Sequence, residues 1–445
     1  MREKFLKIWK EKLMLGIILL LITIAVRFVC YQVIEADYEY FYDTSSYSYL
    51  EGYQSEFGEI NAFRTPVYPI FLKIVGIFGD DSVDELYANV TAAQEIISLI
   101  SVAFFYLLMR KLTKSKVTQS IATLYYGCLP SIFTYNLCIL TESLAISFVV
   151  FFLYAFCCYL EKKKISQQIL LAALTLIMIL LRPTFLCLLI FFAIFWIFQF
   201  FIAKEERKKT GIGALSTVVV CLILGGYSWL NQVQNGFMGL SYVNIINQTD
   251  IILDMKLYGS YENNPIDDQI TQIIVENYDA TDAPWYVAKD KVLEQFSHGT
   301  LGEYNQRCIK HNLKSYLIGQ IRRIVELGST NINTALVNRD GGKIQSYLIA
   351  FSQCVFPLNI GFLFLIIGFE LIYFLWKCIR KEKWKLIEQM RFFAMILMAG
   401  ILSVTLLGAQ AEYTRLIVPI LSICILLVGE SIEKIWKKRR AEAIE

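Results

Sequence analysis

The chain has 445 residues with a net charge of +3; 56% of them are hydrophobic and only 18% are charged. Soluble domains carry about 45–50% apolar and about 25% charged residues, so this composition excludes a soluble globular protein. Stretches of about 20 apolar residues, enough to cross a hydrocarbon core of ~30 Å, recur along the whole length. The sequence therefore predicts an all-α, polytopic membrane protein.

About ten membrane spans are expected. The first follows a basic head and has no cleavage site of small residues, so it predicts a retained helix rather than a signal peptide. The predicted spans are 13–34, 88–109, 118–137, 140–160, 168–181, 183–203, 212–232, 346–377, 391–408 and 413–433. They divide the chain into an N-terminal membrane module, an extracytoplasmic segment and C-terminal membrane helices, at residues 1–232, 233–345 and 346–445.

Lysine and arginine lie in alternate connections between these spans. All six basic clusters fall on one side of a ten-span chain: the N-terminus, 110–116, 162–164, 204–209, 377–385 and 434–440. Because basic loops stay in the cytoplasm, both termini are predicted to be cytoplasmic. The opposite side receives the first outer loop, 35–87, and the long segment 233–345. In that segment, apolar residues at roughly helical spacing predict an amphipathic helix over about 285–338.

Ionisable residues at the outer ends of the spans come from distant parts of the chain. Such residues in or near the hydrocarbon core are costly and often functional. The candidates share one predicted depth, and they are Asp43, Arg64, Glu142, Arg182, Glu412 and Arg415. Their convergence predicts one outer-facing polar cavity.

Most of these residues also have a structural explanation. Asp43 suits a helix N-cap or a solvated loop. Arg182 suits a side chain that extends to the lipid headgroups, and Glu412 and Arg415, at i and i+3, suit a pair within one helix. Glu142 favours a function, because it is flanked by apolar residues at the membrane edge, where an unpaired carboxylate is expensive. The prediction therefore depends on the group and not on any one member.

Cysteine spacing and short motifs exclude several other classes. Most of the eleven cysteines lie inside apolar spans and none has metal-site spacing, which predicts buried thiols rather than a disulfide framework. The chain has no glycine-rich phosphate loop, no zinc-protease motif and no nucleic-acid signature. The sequence thus offers no support for a nucleotide-dependent or nucleic-acid-binding protein.

The polar motifs, taken in chain order, resemble those of bacterial multispanning glycosyltransferases of the GT-C fold. The branch they resemble most is the protein-mannosyltransferase-related, glycosyltransferase family 39-like group, which includes Rgt-type lipopolysaccharide transferases and aminoarabinose transferase. The motifs are Asp43-Thr44-Ser45-Ser46-Tyr47, Arg64-Thr65-Pro66-Val67-Tyr68-Pro69, Thr141-Glu142, Leu181-Arg182-Pro183 and Glu412-Tyr413-Thr414-Arg415 with Pro419. The segment 233–345 matches no motif of the group.

This resemblance implies a transferase that takes a sugar from a polyprenyl-phosphate donor on the extracytoplasmic face. It places Asp43 at the catalytic centre, as the base that deprotonates or orients the acceptor, with Asp37 as a weaker rival. Arg182 and Arg415 become candidates for the lipid phosphate. The other candidates for substrate binding are Arg64, Tyr47, Tyr68, Glu142 and Glu412. The group often has two adjacent acids in the first loop, and the lack of the second here leaves open whether a divalent metal ion takes part.

The implied partners are the polyprenyl-phosphate sugar, a lipid, glycan or protein acceptor, and the bilayer, without nucleic acid. An alternative function is a transporter or flippase of lipid-linked saccharides. Carriers tend to place charges near the bilayer midplane and to break helices there, whereas the candidate charges lie at one face. A non-catalytic scaffold of envelope assembly is a third hypothesis. Acceptor choice is expected to depend on 233–345.

Overall fold

The structure, a computed structural model, describes most of the chain. The described residues are 2–32, 62–78, 83–202, 207–261, 264–278, 286–328, 347, 350, 359–380, 384–409, 413–429 and 431. Asp37, Asp43, Tyr47 and Glu412 lie outside these ranges, so the predictions for them concern parts of the chain that the structure does not describe.

The described residues are mainly helical. The helices are α1 (Arg2–Tyr31), α2 (Val67–Gly76), α3 (Val83–Leu112), α4 (Lys116–Cys128), α5 (Pro130–Phe133), α6 (Glu142–Lys162), α7 (Ile165–Leu181), α8 (Cys187–Ile202), α9 (Arg207–Asn235), α10 (Val243–Asp254), α11 (Pro265–Asn277), α12 (His298–His311), α13 (Leu313–Leu327), α14 (Ile360–Ile379), α15 (Leu386–Gly408), α16 (Tyr413–Leu416) and α17 (Val418–Gly429). Shorter helical turns are Thr134–Leu137, Pro183–Leu186 and Val287–Val292.

Seven helices in the described ranges are long and apolar enough to cross a membrane, namely those of α1, α3, α6, α8, α9, α14 and α15. Three shorter apolar helices accompany them: α2, α7 and α17. The chain is a multi-pass, all-α membrane protein, as predicted. The total of ten spans stays a prediction, because the shorter helices do not decide it.

The predicted span 118–137 is wrong as a single helix. α4 ends at Cys128, and Leu129 is extended (ψ 118°) ahead of Pro130. Proline lacks the N–H of a helix interior and disfavours helical backbone in the residue before it. The chain then makes the buried turns α5 and Thr134–Leu137, which lead to the start of α6.

Two other predicted helices have different bounds. α14 begins at Ile360, because the Asn359 side chain caps it by accepting a hydrogen bond (2.7 Å) from the backbone N–H of Phe362. The amphipathic helix predicted over about 285–338 is divided into α12 and α13, which part at Asn312. Neither boundary changes the helical class of the segment.

α6 lies at the centre of the bundle and packs against α3, α7, α15 and the start of α17. Its buried face is aromatic: the ring of Phe156 meets Phe195 at 5.0 Å and Phe393 at 5.6 Å between centroids, both edge to face. Such pairs each contribute about 0.5–1.5 kcal/mol beyond the burial of their area. This packing fixes the helix whose first residue is Glu142.

The segment 233–345, called the outer segment here after its predicted side of the membrane, contributes a second, smaller core at one end of the bundle. α10, α11 and α12 enclose buried apolar residues such as Ile252 and Ile270, and Arg307 makes three hydrogen bonds of 2.8–3.1 Å to the Asp267 carboxylate. The segment docks on the end of α15, where Asn247 Nδ2 donates to the Gly408 carbonyl (3.2 Å). Carbonyls at a helix end lack intrahelical partners, so this contact satisfies one of them.

A buried group of charges joins α14 to α15 at the opposite end of the bundle. Arg391 pairs with Glu370, and Lys377 pairs with Glu388. All four side chains are less than a tenth exposed. Arg391 lies fourteen residues before Thr405 on α15, which is about 21 Å at 1.5 Å per residue. No motif or spacing in the sequence predicted this group.

Glu370→Gln is expected to destabilise the protein by about 3–5 kcal/mol, because it leaves the Arg391 guanidinium buried without its counter-charge. Replacing Glu370 and Arg391 together by leucine should recover most of that loss. Glu161→Gln is the matched control, since Glu161 pairs with Lys111 where both are about a quarter exposed, and such pairs contribute at most about 1 kcal/mol. Thermal unfolding of the purified variants checks this; equal losses in Glu370→Gln and Glu161→Gln would contradict it.

Candidate active site

A cavity of about 600 Å³ opens at the end of the bundle where α6 begins and where α7 and α15 end. Four of the predicted site residues line it: Arg64, Glu142, Arg182 and Arg415. They come from the loop before α2, the first turn of α6, the end of α7 and the short helix α16. The structure thus brings together residues that are up to 351 positions apart in the sequence.

Glu142 is the centre of this arrangement and is only 1% exposed. Its Oε1 lies 3.2 Å from Nε of Arg415 and 3.4 Å from Nη1 of Arg182. Because Glu142 begins α6, its carboxylate also lies at the positive end of the helix dipole. One carboxylate therefore holds two guanidinium groups, and the three charges sum to +1.

The backbone around Pro183 sets the direction of Arg182. α7 ends at Leu181, and Arg182 is extended (φ −150°, ψ 121°), as expected for a residue before proline. Nη1 of Arg182 is buried and has no hydrogen-bond partner within the described ranges, although it is close to Glu142. This guanidinium therefore keeps hydrogen-bonding capacity for an anionic ligand.

Arg64 and Tyr68, which belong to one predicted motif, have different surroundings. Arg64 lines the cavity with its guanidinium 4.2 Å from the centre of the Phe63 ring. The next residue, Thr65, donates to the Leu181 carbonyl (3.3 Å) and ties this loop to the end of α7. Tyr68 does not line the cavity: it is fully buried, and its hydroxyl donates to Gln94 Oε1 (2.9 Å). The start of α2 turns Tyr68 towards α3, which places it for packing.

One wall of the cavity comes from residues 237–247, which the sequence analysis did not single out. Ser241 Oγ donates to the Phe63 carbonyl (2.5 Å), and the Tyr242 and Phe63 rings pack at 5.1 Å. These contacts join the outer segment to the end of the first outer loop at the cavity itself. Asn244, an exposed residue, also lines this wall. No motif in this stretch marked it beforehand.

Beyond the arginines the cavity continues as an apolar limb between α8, α9 and α15. On α9 it is lined by residues spaced i, i+3, i+4 and i+7, which form one helical face: Cys221, Leu224, Gly225 and Ser228. This face extends for about 10 Å. Leu186 in the turn before α8, Leu189 of α8 and Val404 of α15 line the rest of the limb. A cationic end joined to an apolar limb suits a ligand with an anionic head and a hydrocarbon chain.

The described residues contain no group of three or more His, Cys, Asp or Glu side chains that would hold a metal ion. Glu142, the carboxylate in the described lining, already shares its charge with two arginines. The described part of the cavity therefore does not fit a metal site. Asp43 and Glu412 lie outside the described residues. The question of a divalent metal ion therefore stays where the sequence analysis placed it, with the acids of the first outer loop.

Asp250 is the unusual acid of the outer segment. It lies on α10, is 2% exposed, and its Oδ1 has no hydrogen-bond partner within the described ranges. Burial, with a smaller contribution from Asp254, raises the pKa of this carboxyl to about 8. The acid lies three residues beyond Asn247, which lines the cavity.

We expect the contribution of Asp250 to protein stability to fall as the pH rises from about 4 to about 8, because over this range the unfolded chain has released the proton that folded Asp250 retains. Above the folded pKa of about 8 the contribution levels off. Asp250→Asn removes the charge and should raise the Tm at pH 8 with little change at pH 4. Unfolding of wild type, Asp250→Asn and the exposed control Asp268→Asn across this range checks this. Parallel curves for wild type and Asp250→Asn would contradict the prediction.

Comparisons with known proteins bear on the fold and on part of the site. Residues 64–229 match the family described as dolichyl-phosphate-mannose-protein mannosyltransferase. The structure is similar to the archaeal oligosaccharyltransferase AglB from Archaeoglobus fulgidus, in complex with an inhibitory peptide and a dolichol-phosphate, with a TM-score of 0.51 and 15% identity over 99% of this chain and 52% of that chain. The chain has the GT-C glycosyltransferase fold.

The GT-C fold predicted from the motifs is thus confirmed. The apo form of the Archaeoglobus fulgidus oligosaccharyltransferase matches with a TM-score of 0.50 and 14% identity over 97% of this chain and 52% of that one. The chain spans about half the length of these structures. A comparison with curated protein sequences finds no significant match. The mannosyltransferase match includes Arg64, Glu142 and Arg182, whereas Arg415 lies outside it.

Proposed function

We propose that the protein is a membrane glycosyltransferase that moves a sugar from a polyprenyl-phosphate donor to a lipid, glycan or protein acceptor. The observation that carries the proposal is the cavity in which Arg182 and Arg415 meet at the head of an apolar limb. The mannosyltransferase match over residues 64–229 supports the same class of reaction. The neighbour AglB, solved with a dolichol-phosphate, supports a lipid-linked donor.

The arginines act on the leaving group. Transfer breaks the bond between the anomeric carbon and the phosphate oxygen, and the electron pair leaves with the lipid phosphate. A planar guanidinium donates two parallel hydrogen bonds to phosphate oxygens. Because Arg182 and Arg415 are buried, each only 6% exposed, the developing negative charge beside them is stabilised more strongly than in water. Glu142 orients both arginines, and Arg64 adds positive charge at the rim.

The acceptor side depends on the first outer loop. Asp43 takes the proton from the acceptor hydroxyl or amine as that atom attacks the anomeric carbon. Tyr47 and Glu412 bind substrate beside it. Tyr68 supports the Arg64 loop, since its hydroxyl is held by Gln94. The segment 233–345 selects the acceptor, as its residues 237–247 supply one wall of the cavity. A divalent metal ion, if the reaction needs one, is held by acids of the outer loops.

The site lies on the extracytoplasmic face and both termini lie in the cytoplasm. The basic clusters of the loops support this orientation. Within the chain, residues 1–232 form the catalytic membrane module, 233–345 the extracytoplasmic segment and 346–445 the C-terminal helices.

The proposal is tested with purified protein, wild type and Asp43→Asn side by side, supplied with radiolabelled polyprenyl-phosphate sugars and candidate acceptors. Transfer by the wild type that is lost in a folded Asp43→Asn variant supports both the function and the base. Equal transfer by the two proteins removes Asp43 as the base and turns the test to Asp37. If neither transfers sugar but both move labelled lipid across liposome membranes, the protein is a flippase and the proposal is wrong.

A further inference from the structure

The last described helix of the outer segment has an exposed apolar face. On α13 the residues Leu313, Leu317, Ile321 and Val325 follow one another at intervals of four, so they form one stripe, and they are 52–71% exposed. Ile318, beside the stripe, is 57% exposed. A contiguous apolar face of this kind on the protein surface marks a binding surface.

The opposite face of α13 fixes its level relative to the membrane helices. Arg323 donates to the Ala409 carbonyl (2.7 Å), just beyond the end of α15. A second contact lies just after α13: the Gly361 N–H donates to the Gly328 carbonyl (2.9 Å) and joins the end of α13 to the first turn of α14. Ile324 and Leu327 pack on the core of the membrane bundle. α13 therefore lies at the level where α14 begins and α15 ends, beside the cavity.

The charges on and next to α13 complete the pattern. Lys310, Lys314 and Arg322 are exposed, and Glu326 is the exposed acid among them. Lysine and arginine with long apolar stems are favoured where a helix meets the headgroup layer. Arg322 borders the apolar face, and Lys314 lies within it in the first turn of α13. An amphipathic helix that carries basic residues is typical of helices that lie in a membrane interface.

We propose that α13 is an interfacial helix whose stripe inserts into the bilayer leaflet on the cavity side, with Lys314 and Arg322 bound to the phosphate groups of anionic lipids. The stripe continues the apolar surface of α14, whose Phe362, Leu365 and Phe369 are 41–71% exposed. Because the stripe lies at the level of the membrane, lipid already surrounds it. A second copy of the chain or another protein would have to displace that lipid to cover the stripe.

This surface also reaches the candidate active site. Arg323, on the inner face of α13, hydrogen-bonds Tyr413 of α16 as well as Ala409. Arg415 lies two residues further along the same short helix. Insertion of α13 into the leaflet therefore holds Arg323 in place, and through Tyr413 it holds the short helix that carries Arg415.

The test places a benzophenone amino acid at Ile321 of the full chain in vesicles of phosphatidylcholine and phosphatidylglycerol, with the same probe at Gln306 as the control. Gln306 is exposed on α12, outside the stripe. We expect the probe at position 321 to label lipid at least tenfold more than the probe at position 306. Labelling of a second copy or of another part of the chain, or equal lipid labelling at the two positions, overturns the proposal.

A second arm tests the headgroup contacts. With the probe at Ile321, labelled phosphatidylglycerol should be captured at least threefold more than labelled phosphatidylcholine at equal amounts. Lys314→Gln with Arg322→Gln should abolish that preference while total lipid labelling persists. No preference in the wild-type background overturns the assignment of these two residues. Neither arm measures sugar transfer, so the outcome is independent of the proposed function; unchanged size-exclusion profiles confirm that each protein is folded.

Discussion

Replacing Arg182 or Arg415 by glutamine is expected to lower kcat/KM for sugar transfer by at least about 100-fold, the loss typical when one group that stabilises transition-state charge is removed. The effect should appear mainly in kcat, because the phosphate acquires its extra negative charge only as the bond to the sugar breaks. Arg→Lys at either position should recover only part of the activity, since an ammonium group lacks the planar pair of donors. Steady-state kinetics with the lipid-linked donor measure both effects.

The geometry of Glu142 makes these variants interpretable. Because one carboxylate oxygen lies within 3.4 Å of both guanidinium groups, each single substitution leaves Glu142 paired with the remaining arginine. Neither variant buries an unpaired carboxylate, which is the change that would unfold the site. Arg207→Gln, on the exposed first turn of α9, is the matched control and should keep wild-type kinetics.

Glu142→Gln distinguishes an orienting role from a direct one. If Glu142 acts only by holding the two arginines, adding Glu142→Gln to the double variant Arg182→Gln with Arg415→Gln should cause little further loss, because neither arginine is then left for it to orient. Strictly additive losses would mean that Glu142 contacts the substrate independently. Unaltered kcat in both arginine variants would show that the arginines serve only as counter-charges of Glu142, and the phosphate assignment would be wrong.

The arginines and Glu142 were predictable because they interrupt apolar sequence. Burying a charge in the hydrocarbon core is costly, so a charged residue next to a span lies at the membrane surface. Arg182 and Arg415 could therefore be assigned to one level without knowing how the helices pack. Tyr68 shows where this reasoning fails. A contiguous motif joins it to Arg64, but the direction of each side chain depends on how α2 docks on α3, which the local sequence does not specify.

The features that the sequence missed arise from tertiary contacts. The wall at 237–247 has no periodicity or motif, and it reaches the cavity because Ser241 and Asn247 bind backbone groups of distant segments. The pair of Glu370 and Arg391 is separated by 21 residues and a loop. The break at Pro130 could be predicted from the effect of proline on the residue before it. The span 118–137 was nevertheless predicted as one helix, because apolar residues lie on both sides of the proline.

Filling the apolar limb should raise the KM for the lipid-linked donor by at least about tenfold, since a limb that holds the hydrocarbon chain contributes ~0.8 kcal/mol for each CH₂ it buries. Gly225 is the position of choice. It lines the limb, and a Cβ added there would meet no atom within 4 Å. Gly225→Trp therefore places an indole in the open space of the limb.

Gly226 provides the matched control. A Cβ at this position also meets no atom within 4 Å, but the residue does not line the cavity. Both substitutions remove a glycine from a helix interior, where glycine costs about 0.5–1 kcal/mol relative to alanine, so neither variant should be less stable than the wild type for backbone reasons. Gly226→Trp is expected to keep the wild-type KM.

A donor with a short prenyl chain separates obstruction of the limb from damage to the charged end. Gly225→Trp should discriminate against the long-chain donor and leave transfer from the short-chain donor within about threefold of wild type, because the phosphate still meets Arg182 and Arg415. Equal loss with both donors would place the effect of the indole at the phosphate. Equal KM values for Gly225→Trp and Gly226→Trp with the long donor would mean that the chain follows another path, and the apolar limb would then hold the acceptor or no lipid at all.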